Sequence, residues 1–279
     1  MTILFDGRFA NGATFADYHS IALDPSDADQ PPLAEGRPGM YEMVPDPLGG
    51  GDLVAKLTMQ ASTSGGRCEL RPFYEDMDGG PPNHGRRWYA WSMLIPGNWT
   101  APASYAADVD DDLRSSSHCI IAQLHDIADV GDTAHFPPWD LFIDQPYTDR
   151  GMRYKVGLTY DANATTTSRA PNSRVLGPIA VQQDVWVEWA LDYTYAHDGT
   201  GAIAMYKDRR LIFSVTGPTA YNDAEGPFWK FGLYSYSPPT WTASRSVYTR
   251  GAVVGDENSS YVEVTGNSVL ENRTIRSYA

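Results

Sequence analysis

Cysteine is nearly absent: Cys68 and Cys119 are the only two in 279 residues. At most one bridge can form, which excludes a disulfide-stapled scaffold. On strand parity Cys68 faces away from Arg67 and Glu69, whereas Cys119 shares a face with Gln123 and His125, so both are expected to be free thiols. Long apolar runs are missing too. No stretch approaches the ~20 residues of a membrane span, so no membrane partner is expected. Basic residues are scarce, 21 Lys and Arg against 35 Asp and Glu, for a net charge of −14. That balance excludes the basic stripe of a nucleic-acid binder. It also requires any anionic ligand to be held by a local cationic cluster against the global field. The opening MTILFDGRFANG has neither a basic head nor an apolar stretch, so no secretory signal is read there. An extracellular or virion-associated location is expected by another route. Heptads, internal repeats and helical-period segments beyond about two turns are not found.

What remains is the texture of an all-β protein: 25 Gly and 20 Pro punctuate short apolar runs. LVAKLTMQAS, GGRCELRPFYE, RRWYAWSMLIP, HCIIAQLHD, WDLFID, MRYKVGLTY, DVWVEWALDYTY and AIAMYKDRRLIFSV read as strands. DPSDADQPPLAEGRPG and TTTSRAPNSR read as loops, and the tail SYVEVTGNSVLENRTIRSYA as one or two further strands. The expectation is one antiparallel β-sandwich domain over residues 1–279, with a curved inner sheet. Four Asn-x-Ser/Thr sequons, at Asn98, Asn163, Asn258 and Asn272, are taken as chance in a chain rich in Ser and Thr.

Three strands carry polar residues at period two where a buried face does not need them. Arg67, Glu69 and Arg71 share a face in RCELR. Gln123 and His125 share one in IIAQLHD, with Ile121 as an apolar neighbour. In FWKFGLYSYS, Lys230, Gly232, Tyr234 and Tyr236 alternate with the core set Trp229, Phe231 and Leu233. Positions i and i+2 lie ~7 Å apart along a strand, about the width of a sugar ring. Side by side, these faces would form a wall of cations, an amide, an imidazole and phenols.

In their order along the chain, the three strands resemble the jelly-roll polysaccharide lyases, above all the alginate-lyase type. That type carries Arg-x-Glu-Leu-Arg, Gln-x-His and Tyr-Phe-Lys-x-Gly-x-Tyr. The corresponding residues here are Arg67-Cys68-Glu69-Leu70-Arg71, Gln123-Leu124-His125 and Phe228-Trp229-Lys230-Phe231-Gly232-Leu233-Tyr234. The flanks WYAWSMLIP, FPPWDLFI and DVWVEWALDY look more like the glucuronan-lyase and heparin-lyase groups. The resemblance spans roughly residues 50 to 237. Phe228 stands for the first tyrosine and Tyr236 for a frequent glutamine, departures that bear on substrate choice more than on reaction type. The resemblance implies a concanavalin A-like β-jelly-roll sandwich with a concave substrate groove.

It also implies β-elimination on a uronic-acid-containing polysaccharide, in which the C5 proton is removed and the 4-linked sugar expelled. The carboxylate beside C5 makes that proton very weakly acidic unless its charge is neutralised as the enolate forms. Arg67 and Gln123 would supply that stabilisation. His125 and Tyr234 are implied as the proton-handling pair, and a tyrosine base requires a depressed pKa, which nearby Arg and Lys charges would favour. Glu69 is expected to hold the arginines, Arg71 and Tyr236 to contact substrate, and Lys230 to contact substrate or Tyr234.

Plainer readings stand beside these. RCELR could be a solvated ladder, His125 a hydrogen-bonded sheet residue, and the tyrosines packing. Trp88, Trp91, Trp186 and Trp189 are read as core or cleft wall. Asp108–Asp112 lacks the alternating ligand spacing of a calcium loop and reads as a solvated turn. His118, His125 and His135 match no zinc spacing. No cofactor is therefore expected, calcium being the one alternative, and the expected partner is an anionic polysaccharide. The rival from another class is a non-catalytic carbohydrate-binding or structural module on the same fold, such as a phage virion component. A glycoside hydrolase ranks third, because Glu188 and Asp192 lack the usual carboxylate spacing.

Overall fold

The computed structural model describes residues 2–23, 31–61, 66–72, 85–99, 119–144, 151–235, 244–267 and 277–278. Its strands in chain order are β1 (Ile3–Asp6), β2 (Ser20–Ala22), β3 (Gly36–Arg37), β4 (Tyr41–Pro45), β5 (Leu53–Met59) and β6 (Gly66–Arg71). There follow β7 (Gly85–Leu94), β8 (Cys119–His125), β9 (Trp139–Asp144), β10 (Arg153–Tyr160), β11 (Asn172–Ala180) and β12 (Trp186–Tyr195). The last are β13 (Ala202–Lys207), β14 (Arg210–Thr216), β15 (Phe228–Ser235), β16 (Arg245–Gly255) and β17 (Ser277–Tyr278). They form two sheets. The larger runs β17-β14-β13-β12-β7-β16-β5-β4-β3, with β1 also on β16; the smaller runs β11-β10-β9-β8-β15-β6-β2. Pairing is antiparallel except between β14 and β17. This is the antiparallel β-sandwich that the alternation implied, in the jelly-roll form that the resemblance implied.

The sheets are joined through one main core, to which Leu57, Trp91, Trp189 and Val254 come from the larger sheet and Leu70, Leu124, Leu141, Phe231 and Leu233 from the smaller. Trp91 bridges them, its ring 6.2 Å from Trp139 and 5.3 Å from Trp229. Aromatic contacts of this kind are worth ~0.5–1.5 kcal/mol each beyond area burial. Trp88 is buried in a second cluster on the other side of the larger sheet, and Trp186 is half-buried beneath the Arg250 guanidinium. Core is thus the right reading for three of the four tryptophans.

Three expectations are corrected. Strict parity fails in β8: Ile120 pairs with Phe142 but Ala122 with Leu141, so a bulge at Ile121 absorbs one residue. Ile121 and Cys119 therefore lie in the core with Cys68, rather than beside Gln123 and His125. Both cysteines are free, and burial pushes each thiol up to about 12. The tail segment YVEVT is helix α1 (Tyr261–Thr265) instead of a strand. Its capping box joins Ser260 to Glu263, and Gly266 closes it in the left-handed conformation. Finally, the loop reading of TTTSRAPNSR holds only to residue 171, where β11 begins.

The topology is what places the site. β15 lies between β8 and β6, so three motifs far apart in sequence become neighbours on one sheet. Gly232 is where β15 comes closest to β6. It sits at φ 141°, and a Cβ there would meet the Cys68 carbonyl oxygen at 2.2 Å.

Candidate active site

Tyr234 pairs with Arg67 and Gly232 with Glu69 on one side of β15. On the other side Lys230 pairs with Gln123, Phe228 with His125, and Tyr234 with Ile120. Leu124, Phe231, Leu233, Cys68 and Leu70 occupy the core. The alternate residues Arg67, Glu69, Arg71, Gln123, His125, Lys230 and Tyr234 therefore share the opposite face, as expected from parity. Tyr236 and the Asp108–Asp112 run lie outside the described residues, as does His118.

Glu69 is fully buried and ties two strands together across β15. Its Oε1 accepts from Gln123 Nε2 at 2.6 Å, and its Oε2 lies 3.2 Å from Arg67 Nε. That bond fixes the orientation of the Gln123 amide, because a carboxylate can only accept. Arg67 stacks on the Tyr234 ring, with Cζ 4.0 Å from the centroid. Arg71 and Lys230 are nearly buried, and both cations lie against the Phe228 ring, at 3.7 and 5.1 Å. His125 stacks on the same ring at 5.2 Å. Phe228 is thus a hub of the site.

A pocket of about 230 Å³ opens beside these strands, and Gln123, His125, Tyr234, Asp140, His135 and Arg169 are among its walls. His125 and Tyr234 approach it from different rungs, since Tyr234 lies opposite Ile120, roughly 15 Å along the strand from His125. Both line the one pocket, from positions that are not adjacent in the sheet. Arg67, Arg71 and Lys230 lie on the same face but do not line the pocket.

The local charge has the sign an anionic ligand needs. On this face of β6, β15, β8, β9 and β10 the cations Arg67, Arg71, Lys230, Arg153 and Lys155 outnumber the carboxylates Glu69, Asp140 and Asp144. Part of the excess is neutralised internally, with Lys155 Nζ 2.9 Å from Asp144.

The two pocket histidines are tuned in opposite directions. His125 Nδ1 lies 2.7 Å from the Asp126 carbonyl oxygen. A carbonyl only accepts, so Nδ1 carries the proton and Nε2 keeps its lone pair. Burial, then the charges of Lys230 and Arg67, hold His125 down at about 4 against the pull of that hydrogen bond. It is neutral at pH 7. His135 is buried between two aspartates: Nε2 contacts Asp126 and lies 3.3 Å from Asp223. Burial alone would lower it, but these carboxylates outweigh burial and raise it to about 10. Tyr234 contradicts its expected depression: burial raises its pKa, and Arg67 offsets only part of that rise. The phenol stays protonated.

Asp126, His135 and Asp223 each offer a donor atom within 4.8 Å of the others, the strongest metal-like cluster among the described residues. The His135 proton already closes it, so an ion would have to displace that proton. Sequence reading missed this cluster, as well as Asp140 and Arg169, and took Phe228 only as a replacement for a tyrosine. Asp140 and Asp144 could have been flagged, being acids at period two inside the apolar strand WDLFID. Nothing local marks Arg169, which reaches the pocket from a loop.

A family model described as "Polysaccharide lyase" matches residues 10–251. The chain belongs to the polysaccharide lyase family. No curated protein sequence matches this lyase. Among solved structures it is similar to an endo-β-1,4-glucuronan lyase from the fungus Trichoderma reesei. The identity is 15%, with 96% of this chain and 100% of that one covered and a TM-score of 0.64. It is also similar to the alginate lyase from Klebsiella pneumoniae (10% identity, 90% and 99% covered, TM-score 0.54). A third likeness is to a GH131 β-glucanase catalytic domain from Podospora anserina (17% identity, 93% and 98% covered, TM-score 0.51). At such identities the shared property is the fold. In this lyase the hydrolase candidates lie elsewhere, on β12 of the larger sheet. Glu188 accepts from Tyr261 and Asn267, and Asp192 pairs with Arg86 at 2.7 Å.

Proposed function

We propose that this lyase cleaves a uronic-acid-containing polysaccharide by β-elimination. The observation that carries the reading is the protonation pattern in one pocket: a neutral His125 with a free Nε2, and a Tyr234 that retains its proton. His125 Nε2 takes the C5 proton. The C5–H electron pair becomes the C4=C5 double bond, the C4–O4 bond breaks, and O4 takes the phenolic proton of Tyr234. Solvent then returns the imidazolium and phenolate to their starting states. A raised pKa at Tyr234 thus favours it as acid rather than base. Positioned proton transfer of this kind contributes ~10²–10⁴ in rate.

The Gln123 amide is oriented by Glu69, and its second Nε2 hydrogen is the donor it would offer to the negative charge that grows on the carboxylate as the enolate forms. A pocket of this volume suits one sugar unit, with flanking units along the groove face. The solved structures similar to this chain include lyases of glucuronan and of alginate, which makes polyuronates the first substrates to try. Incubation with a panel of polyuronates should yield the ultraviolet absorbance of an unsaturated uronate at the new chain end. Absence of that product across the panel, with the protein folded, would return the molecule to the reading of a binding module.

A further inference from the structure

An anionic sugar entering a protein of net charge −14 needs a cation that is not already neutralised. The cations nominated by the sequence are engaged with other groups. Arg67 is paired with Glu69 and stacked on Tyr234, while Arg71 and Lys230 are 2% and 4% exposed beneath the Phe228 ring. None of the three lines the pocket. Arg169 does, from the connection between β10 and β11. It is exposed, and among the described residues it has no carboxylate partner. Its guanidinium lies 5.5 Å from the Phe136 ring centroid.

The backbone that carries it is pinned. Phe136 N donates to Arg169 O at 2.9 Å, Thr133 N to Thr166 O at 2.8 Å, and Thr166 N to Asp132 Oδ1 at 2.9 Å. Two loops are thereby stitched together at the rim, and the guanidinium is presented without the whole loop having to be ordered on binding.

We infer that Arg169 binds the substrate carboxylate in this pocket and selects uronates over neutral sugars. This rests on the lyase reading above. A guanidinium meets a carboxylate through two parallel N–H donors, a geometry that a neutral hydroxymethyl group cannot reproduce. The test is calorimetric titration with a β-1,4-linked glucuronate oligosaccharide and with its carboxyl-reduced counterpart, in a Tyr234→Phe background that suppresses turnover. Arg169→Ala should weaken uronate binding about 10- to 100-fold and leave the neutral oligomer unchanged, with Arg169→Lys recovering part of the loss. An exposed residue can be replaced without unfolding, which a melting curve checks. Unchanged uronate affinity, equal losses for both ligands, equal affinity for both before mutation, or no uronate binding at all would each overturn the assignment. If selectivity depends on Arg169 but wild-type protein forms no unsaturated product, elimination fails and the binding role stands.

Discussion

Replacing Lys230 with Gln should move the acid limb of kcat/KM upward in pH. A protonated His125 cannot accept the C5 proton, so activity is present above its pKa and lost as pH falls through it. In the folded protein that pKa is about 4, lowered first by burial, next by Lys230 and then by Arg67. At pH 5 a group of pKa 4 is roughly 10% protonated, whereas an ordinary imidazole near 6.5 is about 97% protonated. Complete loss of the shift would therefore lower activity at pH 5 by up to about 30-fold. Lys230 is one of several causes, so its removal should produce part of that fall and little change above pH 7.5. The assay is product absorbance across pH 3.5 to 9. The substrate carboxylate also titrates near pH 4, but its limb does not depend on Lys230. Because Lys230 is nearly buried, melting curves must accompany the kinetics, and Arg67→Gln gives a second route to the same shift. A wild-type limb near 6.5, or a limb unmoved in both folded variants, would refute the role of His125 as a neutral base.

Tyr234→Phe should reduce turnover by ~10²–10⁴ while leaving oligosaccharide binding and the melting temperature near wild type; near-normal kcat would remove Tyr234 from the chemistry. Wild-type activity should also show no alkaline limb below about pH 10, because burial raises the phenol and keeps the proton donor loaded. His135 contributes stability that is fully present below its unfolded pKa near 6.5 and lost as pH rises through about 10. Burial raises the partner Asp126 to about 6, so melting curves at pH 7, 8 and 10 should converge between wild type and His135→Gln, the variant being less stable by about 3–5 kcal/mol at pH 7; parallel curves would contradict the sandwiched imidazolium. Gly232→Ala should destabilise the fold severely or prevent expression, since its Cβ would meet Cys68 O at 2.2 Å, and a melting point within 2–3 °C of wild type, roughly 1–2 kcal/mol for a domain of this size, would show that β15 and β6 can separate there.

Period-two alternation and turn residues were enough to determine that the chain is a β-sandwich and, Cys119 and Ile121 apart, which residues of the three motif strands leave the core. Lys230, Gly232 and Tyr234 could be set apart from Trp229, Phe231 and Leu233 without coordinates because side-chain direction along a strand is local. Helix α1 is equally local, announced by Ser260, Glu263 and Gly266, although its own residues, YVEVT, are rich in β-branched side chains. The bulge at Ile121 was not legible, because an extra residue in a ladder is defined by the partner strand and not by the strand itself. Only tertiary structure decided the remaining features. It placed β15 between β8 and β6, buried Arg71 and Lys230, and brought Asp126 and His135 of the β8–β9 connection together with Asp223 of the β14–β15 connection. It also set the protonation of the pocket, since the pKa of a group depends on burial and on charges contributed by other strands. The same sequence motif that predicted a phenolate at Tyr234 therefore holds a phenol, because burial there exceeds the pull of Arg67.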